Sequence, residues 1–233
     1  MSGHAKVVTP TPDGGFATHE VAHHFKTAEQ EYQSGKLAFW LFLATEVMLF
    51  GGLFAAYLIY HDVYPETFVA GGSTLDWKLG ALNTVFLLTS SWTMAMGVRA
   101  SQLSQKKALV GYLTVTWLFA AGFMVVKYFE YTGKLSHGVG PGYFYNPEAG
   151  SHYAEVLEGL PFPNLFFALY FTMTGIHGLH VLIGMVLIGW LIVRAQKGHF
   201  HSGFYLPVDL IGLYWHVVDV IWIFLFPLLY LVP

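Results

Sequence analysis

Five long apolar runs constrain this chain more than any other feature of its sequence. They cover residues 36–61, 79–100, 108–132, 163–194 and 205–232. Each run is long enough to cross the roughly 30 Å hydrocarbon core of a bilayer as a helix. The runs also lack the alternation of apolar and polar residues that indicates a half-buried strand. The sequence therefore predicts an all-α integral membrane protein, a bundle of five transmembrane helices.

Composition agrees with a membrane protein and excludes several kinds of site. Of the 233 residues, 55% are hydrophobic and 11% are charged, whereas soluble domains carry about 25% charged residues. The net charge of −3 gives no indication of nucleic-acid binding. The chain has no cysteine, which excludes disulfides, thiolate metal sites and cysteine nucleophiles.

The polar segments outside the apolar runs predict the domain organisation. Residues 1–34 contain four histidines and two Thr-Pro pairs, a composition typical of a mostly disordered tail. Residues 35–233 would form the membrane domain. The loop over 133–162 is rich in Gly, Pro, Tyr and Asn, and we expect it to fold as an ordered cap. With no signal peptide visible, we expect the spans themselves to direct insertion.

The distribution of lysine and arginine predicts the orientation in the membrane. If the N-terminus is cytoplasmic, eight of the 11 basic residues lie on the cytoplasmic side, and only Lys78 and Lys134 lie outside. Lys127 falls within a span. Because cytoplasmic loops carry an excess of Lys and Arg, the sequence predicts an N-terminus inside and a C-terminus outside.

Glu46 is a candidate functional residue because it lies inside the first apolar run. It follows Lys36 by ten residues, or about 15 Å along a helix, which places it near the middle of the bilayer. A charged carboxyl costs about 2.5 kcal/mol or more at that depth. Glu46 either takes part in proton or oxygen-path chemistry or donates one hydrogen bond across a helix interface as a neutral group.

Two pairs of polar residues lie near the middle of the last two runs. His177 and His180 share one helix face, as do His216 and Asp219, since each pair has i,i+3 spacing. Histidine and carboxylate side chains can bind metals, but they also form hydrogen bonds between packed helices. We favour a buried packing network. A haem site would need facing histidines on two helices, and a two-haem bundle would need two such levels in the membrane. Only one level is present here, so the spacing of the histidines disfavours a haem protein.

Basic residues near the helix ends suggest two further interactions. Lys36, Arg194 and His201 are candidates for binding anionic lipid headgroups, at about 1 kcal/mol per cation; the excess of positive charge on the cytoplasmic side explains them equally well. Lys127 and Glu130, spaced i,i+3, predict a local ion pair near the outer boundary, with Lys127 extending outward to the interface.

At these residues the chain resembles subunit III of the haem–copper oxidases, most closely the cytochrome c oxidase form. The matching segments are LATEVMLF (43–50), NTV (83–85) with Ser90-Ser91, Glu130-Tyr131, TGIHGLHV (174–181) and YWHVVDVIW (214–222). They occur in the family's order over about 36–232. The last two segments together are highly specific.

The resemblance implies an accessory subunit without catalytic residues, metal or cofactor of its own. In this family the partner subunit I holds haem and copper and reduces oxygen to water while pumping protons; subunit II and a small subunit IV belong to the same complex. Subunit III binds phospholipids and stabilises proton uptake and subunit I during turnover. Glu46 matches the family's intramembrane carboxylate, and Arg194 and His201 match its basic inner loop. A five-helix bacterial form implies the bacterial inner membrane, with the C-terminus in the periplasm.

The chain departs from the family pattern at three points. The mitochondrial form has seven helices, of which this chain lacks the first two; Lys127 stands where Gln is common, and Asp209 where Glu is frequent.

Three alternative functions also have to be considered. A quinol oxidase subunit III would fit the same motifs. A proton-coupled transporter would use Glu46, His177, His216 and Asp219 as a relay, but the sequence shows no internal repeat. The third alternative is a haem-bearing membrane cytochrome.

Overall fold

The computed structural model describes residues 6–10, 16–20 and 27–231. Two strands, β1 (Lys6–Pro10) and β2 (Phe16–Glu20), pair antiparallel, with Lys6 opposite Glu20. From Ala28 onward the described chain is mainly helical. The helices are α1 (Ala28–Val63), α2 (Pro65–Ser73), α3 (Trp77–Gln102), α4 (Lys106–Ser136), α5 (His152–Leu157), α6 (Pro163–Gln196) and α7 (Leu206–Phe226), with a 3-10 helix at Gly142–Phe144 and a π-helical turn at Pro227–Leu231.

Four of the described helices are long and apolar enough to cross a membrane. They are α1, α4, α6 and α7 with its π-helical turn. Helix α3 has 26 residues, which suffices in length, but it is more polar and is not among the four. The membrane-type helical fold is therefore confirmed, and the predicted second span forms one continuous helix.

The helix boundaries follow the predicted spans closely except at the first. Helix α1 begins at Ala28, eight residues before the predicted start at 36. Thr27 explains the earlier start, because its hydroxyl oxygen accepts a hydrogen bond from the backbone N–H of Gln30 at 3.1 Å, as an N-cap residue does. Parts of the segment expected to be mostly disordered thus have regular structure. Residues 1–5, 11–15 and 21–26 of that segment, and residue 232 of the fifth predicted span, lie outside the described residues.

Two short helices, α2 and α5, are additions to the predicted set. Helix α2 begins with Pro65 in its first turn, where the missing N–H of proline costs nothing. Helix α5 is capped by Ser151, whose side chain accepts a hydrogen bond from the backbone N–H of Ala154 at 3.3 Å. Both are too short to produce the long apolar pattern that identifies a span.

The loop over 133–162 has ordered structure, as predicted. The ring of Tyr145 stacks on Phe167 with centroids 5.5 Å apart, and Tyr153 contacts the same ring edge-on at 6.3 Å. Thr67 of α2 donates a hydrogen bond to the carbonyl of Pro161 at 2.8 Å. These contacts pack the segment against α2 and α6, and the resulting burial raises the pKa of both tyrosines.

The chain divides into two compact units, each with its own core. The first unit comprises Met1–Glu46, Thr89–Leu118 and Ile183–Val217, and the second comprises Val47–Leu88, Phe119–Leu182 and Val218–Pro233. Trp215 is fully buried in the first unit, and Trp222 is fully buried in the second. The candidate residues divide between these units.

Candidate functional site

Glu46, the predicted intramembrane carboxylate, lies in the first unit, on α1, where it is half-buried. It interacts electrostatically with the hydroxyl of Tyr214, a residue of α7 whose ring stacks against Phe42 with centroids 6.2 Å apart. On the chain around Glu46, Val47 and Met48 are largely exposed, Met48 at 76%. Glu46 therefore lies beside an apolar surface of the isolated chain and within electrostatic range of one of its aromatic residues.

His177 and His180 of α6 differ in their surroundings despite their predicted common face. His177 is fully buried, and its Nε2 lies 3.1 Å from the backbone carbonyl of Val218 in α7. His180 is half-buried; its Nδ1 lies 2.8 Å from the carbonyl of Ile176 in its own helix, and its ring contacts Phe50 edge-on. His177 thus links two helices by a hydrogen bond, as expected of a packing residue.

His216 and Asp219 of α7 also lie among packed helices. Nδ1 of His216 is 2.7 Å from the hydroxyl oxygen of Ser91 in α3. One residue away on each helix, the indole N–H of Trp215 donates to the hydroxyl of Ser90 at 3.0 Å. Asp219 is buried, with 2% exposure. The polar residues of α3 therefore serve as partners for α7.

No cluster of three or more histidine or carboxylate side chains suited to a metal ion occurs within the described part of the chain. The hydrogen bonds of His177, His180 and His216 instead run to carbonyl and hydroxyl oxygens.

Lys36, the first of the three lipid-headgroup candidates, forms an ion pair within the protein. Its ammonium lies 3.3 Å from a carboxylate oxygen of Asp209 at the start of α7. It also lies 4.7 Å from the centroid of the Tyr32 ring, in the geometry of a cation–π interaction. This links the beginning of α1 to the beginning of α7. Asp209 supplies the negative charge of this ion pair.

Arg194 and His201 lie at and after the end of α6. The guanidinium of Arg194 lies 4.9 Å from the Trp190 ring centroid and 3.4 Å from Nδ1 of His199. His201 is 8% exposed, and its Nδ1 accepts a hydrogen bond from the backbone N–H of Gly203 at 3.1 Å. Arg194, which is half-buried, thus remains more accessible than His201.

The most densely connected polar site is centred on Glu130, in the second unit. One carboxylate oxygen accepts hydrogen bonds from the hydroxyls of Tyr170 and Tyr230, both at 2.7 Å, and from the Lys134 ammonium at 3.2 Å. The other oxygen accepts one from Lys127 at 2.9 Å. Lys127 also donates to Tyr230 at 3.0 Å and to Tyr170 at 3.3 Å. We call these five side chains the Glu130 cluster.

Aromatic rings surround the ammonium of Lys127. It lies between 5.2 and 5.7 Å from the ring centroids of Tyr131, Tyr170, Trp222 and Tyr230, close enough for cation–π attraction. Lys127 is 5% exposed. The predicted Lys127–Glu130 ion pair is therefore confirmed, whereas the prediction that Lys127 extends outward is wrong. The lysine points inward because rings and hydroxyls from α6 and the π-helical turn bind it there.

Sequence reasoning missed three members of the Glu130 cluster. The i,i+4 spacing of Glu130 and Lys134 was a usable signal, since such pairs face each other on a helix. Tyr170 and Tyr230 offered no local signal, because they lie 40 and 100 residues from Glu130.

A groove of about 390 Å³ runs beside the Glu130 cluster. Lys127, Tyr131 and Thr174 form its polar part, and Tyr131 and Thr174 are joined by a hydrogen bond between their hydroxyls. Gly175 and Gly178 of α6 line the groove as well, and a Cβ built on Gly178 would meet no described residue outside its own helical turns within 4 Å.

This structure defines a multi-pass helical membrane protein whose buried polar side chains largely join its own helices. Comparison with known proteins gives the family. A family model described as cytochrome c oxidase subunit III matches residues 162–232, which contain the motifs around His177 and His216.

Individual relatives extend the match over most of the chain. Cytochrome c oxidase subunit 3 of Synechocystis sp. is 33% identical over 192 residues, which cover 82% of this chain and 72% of the relative. The cytochrome bo(3) ubiquinol oxidase subunit 3 of Pseudomonas putida is 29% identical, covering 84% of each chain. A probable quinol oxidase subunit 3 of Staphylococcus aureus is 26% identical, covering 91% of this chain and 97% of the relative. The chain belongs to the subunit III family of the haem–copper oxidases.

Proposed function

We propose that this chain is an accessory, cofactor-free subunit of a proton-pumping haem–copper oxidase that reduces oxygen to water. Membership of the subunit III family carries the proposal. Haem and copper then belong to subunit I, which this chain contacts directly, and subunits II and IV complete the complex. The many bonds among the chain's own intramembrane polar groups support a packing role for them.

We further propose five transmembrane helices in the bacterial inner membrane, with the N-terminus in the cytoplasm. The polar side chains that lower the hydropathy of α3 have partners: Thr84 and Ser90 accept hydrogen bonds from the indoles of Trp222 and Trp215. A helix with its polar groups satisfied in this way can lie in hydrocarbon. The positions of the lysines and arginines support the orientation.

In this assignment α1 presents Glu46 to its surroundings in the membrane. Only 11% of the most apolar 18-residue stretch of α1 is buried. A Cβ built on Gly51 or Gly52 would meet no described residue outside its own helical turns within 4 Å. This open face would pack on subunit I or on phospholipid. Glu46 would then support proton uptake through subunit I. Arg194, Lys36 and His201, which the proposed orientation places on the cytoplasmic side, would bind lipid headgroups.

We propose cytochrome c as the electron donor of the complex, as in the oxidase named for the Synechocystis relative. A quinol is the second candidate, which the names of the Pseudomonas putida and Staphylococcus aureus relatives favour. The donor acts on other subunits. Steady-state oxygen consumption by the purified complex with reduced cytochrome c, and separately with a quinol, distinguishes the two.

Purification of the tagged chain in mild detergent tests the assignment as an oxidase subunit. We expect a haem-containing partner to purify with it in stoichiometric amount and the preparation to reduce oxygen. A chain that purifies alone and transports an ion in liposomes would instead support the transporter alternative. A stoichiometric haem band in the separated chain would contradict a cofactor-free subunit.

Glu46→Gln tests the role of the intramembrane carboxylate. We expect assembly and initial oxygen reduction to persist, with altered proton uptake or faster loss of activity during sustained turnover, since Gln preserves shape but cannot exchange a proton. Glu148→Gln is the matched control, because Glu148 lies in the loop after α4 with 68% of its side chain exposed. Complete loss of initial activity in Glu46→Gln, with the control unchanged, would contradict an accessory role.

A further inference from the structure

Asn83 of α3 is a buried amide in the second unit whose polar atoms have no partner among the described residues. Its exposure is 0%, and neither its amide oxygen nor its amide nitrogen has a hydrogen-bond partner in the described part of the chain. An amide offers two donors and one acceptor oxygen. Buried polar side chains almost always have a partner, either protein or ordered water, so this amide indicates a ligand.

His177 of α6 presents a second unsatisfied atom in the same unit. Its Nε2 lies 3.1 Å from the carbonyl oxygen of Val218. Because a carbonyl can only accept, Nε2 carries the proton, and Nδ1 of the neutral ring is an acceptor. Nδ1 is buried and makes no hydrogen bond to any residue that the structure describes. It therefore requires a donor.

Trp222 contacts His177 and also Thr84, the residue that follows Asn83. Its indole N–H donates to the hydroxyl of Thr84, the residue next to Asn83, at 3.0 Å. Its ring centroid lies 5.2 Å from that of His177. The ring centroid of Phe123 lies 4.9 Å from that of Trp222 and 5.5 Å from that of His177. Aromatic walls supply no hydrogen-bond partner to Nδ1 of His177 or to the amide of Asn83.

We propose that Asn83 and His177 hold internal water inside the second unit. Nδ1 of His177 needs a donor, and the Asn83 amide needs a donor for its oxygen and an acceptor for its nitrogen. A metal cation cannot donate such hydrogen bonds, and an anion without a proton cannot satisfy the two acceptors. Water does both, and buried waters typically make about three hydrogen bonds to polar groups that have no other partner.

Substitution of Asn83 in the assembled oxidase tests the proposal by the sign of its effect. With bound water, Asn83→Leu removes the amide that holds the water and leaves the water's other hydrogen-bond partners unsatisfied, so the thermal midpoint of the complex falls by about 2–4 °C. Asn83→Ser keeps a hydroxyl and leaves space for a further water, so its midpoint should lie closer to that of the unaltered complex. In a dry core the order reverses: Leu raises the midpoint because it replaces an unsatisfied amide, and Ser, which leaves a cavity, lowers it. That order would overturn the proposal.

A density map of the unaltered complex, at a resolution that shows waters, gives an independent measurement. It tests the proposal even if the Asn83→Leu variant does not assemble. We expect a water peak within about 2.7–3.2 Å of Nδ1 of His177 or of the Asn83 amide atoms. Continuous side-chain packing around all three atoms, or an Asn83 amide bonded directly to protein, would overturn the proposal.

Discussion

At the scale of single residues, the Glu130 cluster shows how a membrane chain can bury three charges. The carboxylate of Glu130 is shared by Lys127 and Lys134, and Asp76 acts electrostatically on Lys134 as a second negative group. Each buried charge carries a desolvation cost of several kcal/mol, which partners must offset. Removing the single carboxylate that both lysines share should therefore be more damaging than removing one lysine.

Glu130→Gln should destabilise the subunit by about 3–5 kcal/mol, because it leaves two buried ammonium groups without their shared carboxylate. Lys127→Gln should cost less, since Glu130 keeps Lys134 and both tyrosine hydroxyls as donors. Thermal unfolding of the purified complex, followed through retention of this subunit, measures both changes.

The double variant supplies the control for that comparison. Because the two residues interact directly at 2.9 Å, their effects should not add. Lys127→Gln in the Glu130→Gln background removes one uncompensated charge, so the double variant should be more stable than Glu130→Gln alone. Additive losses would show that the ion pair contributes little.

Residue-scale predictability follows from sequence separation. Lys127 and Glu130 are three residues apart on one helix, and their pairing was predicted. The inward direction of Lys127 was not, because it depends on Tyr170 in α6 and Tyr230 in the π-helical turn. The positions of Glu46, His177 and His216 in helices were predicted, but their partners Tyr214, Val218 and Ser91 became evident only from the packing.

At the scale of helices, the sequence identified every long helix because each produces a long apolar run. The boundaries of α3 and α6 differ by two residues or fewer at each end from those of the predicted spans 79–100 and 163–194. Helix α2 was missed because it has only nine residues, too few for a span. The pattern of one sequence also does not reveal which small residues allow close packing between helices, because this depends on the side chains that each small residue faces in the folded structure.

Two glycines of α6 illustrate this difference and give a matched pair of variants. A Cβ on Gly184 would lie 2.6 Å from the Trp215 ring, which is fully buried and held by its hydrogen bond to Ser90. Gly184→Ala should therefore cost about 1–3 kcal/mol through overpacking. Gly178→Ala, with open space around it, should be neutral or gain about 0.5–1 kcal/mol from higher helix propensity.

Thermal midpoints of the complex, together with the amount of this subunit retained after purification, measure the pair. Equal tolerance of both substitutions would mean that α7 can move away from α6 at Trp215. A loss in Gly178→Ala alone would indicate that the groove beside Lys127 is filled in the complex by a group that approaches α6 closely.

At the scale of the whole molecule, the number of membrane crossings decides which loops share a side. Apolar length and composition mark four helices as able to cross, whereas the bonded polar residues of α3 lead us to propose a fifth crossing. With α3 crossing, its two ends lie on opposite sides of the membrane; without that crossing, they lie on the same side. Composition alone could not resolve this, because the hydrogen bonds that satisfy Ser90, Ser91 and Thr84 come from α7.

Single-cysteine labelling can distinguish these topologies, since the chain has no native cysteine. Lys78→Cys and Gln105→Cys place exposed thiols at the two ends of α3. In intact spheroplasts, a membrane-impermeant maleimide should label Lys78→Cys at once and Gln105→Cys only after permeabilisation, because the proposed orientation puts the start of α3 outside. Glu148→Cys, in the loop after α4, should behave like Lys78→Cys and serves as the outside control. Labelling of both α3 ends from the same side would exclude the fifth crossing, and labelling of Gln105→Cys alone would reverse the orientation.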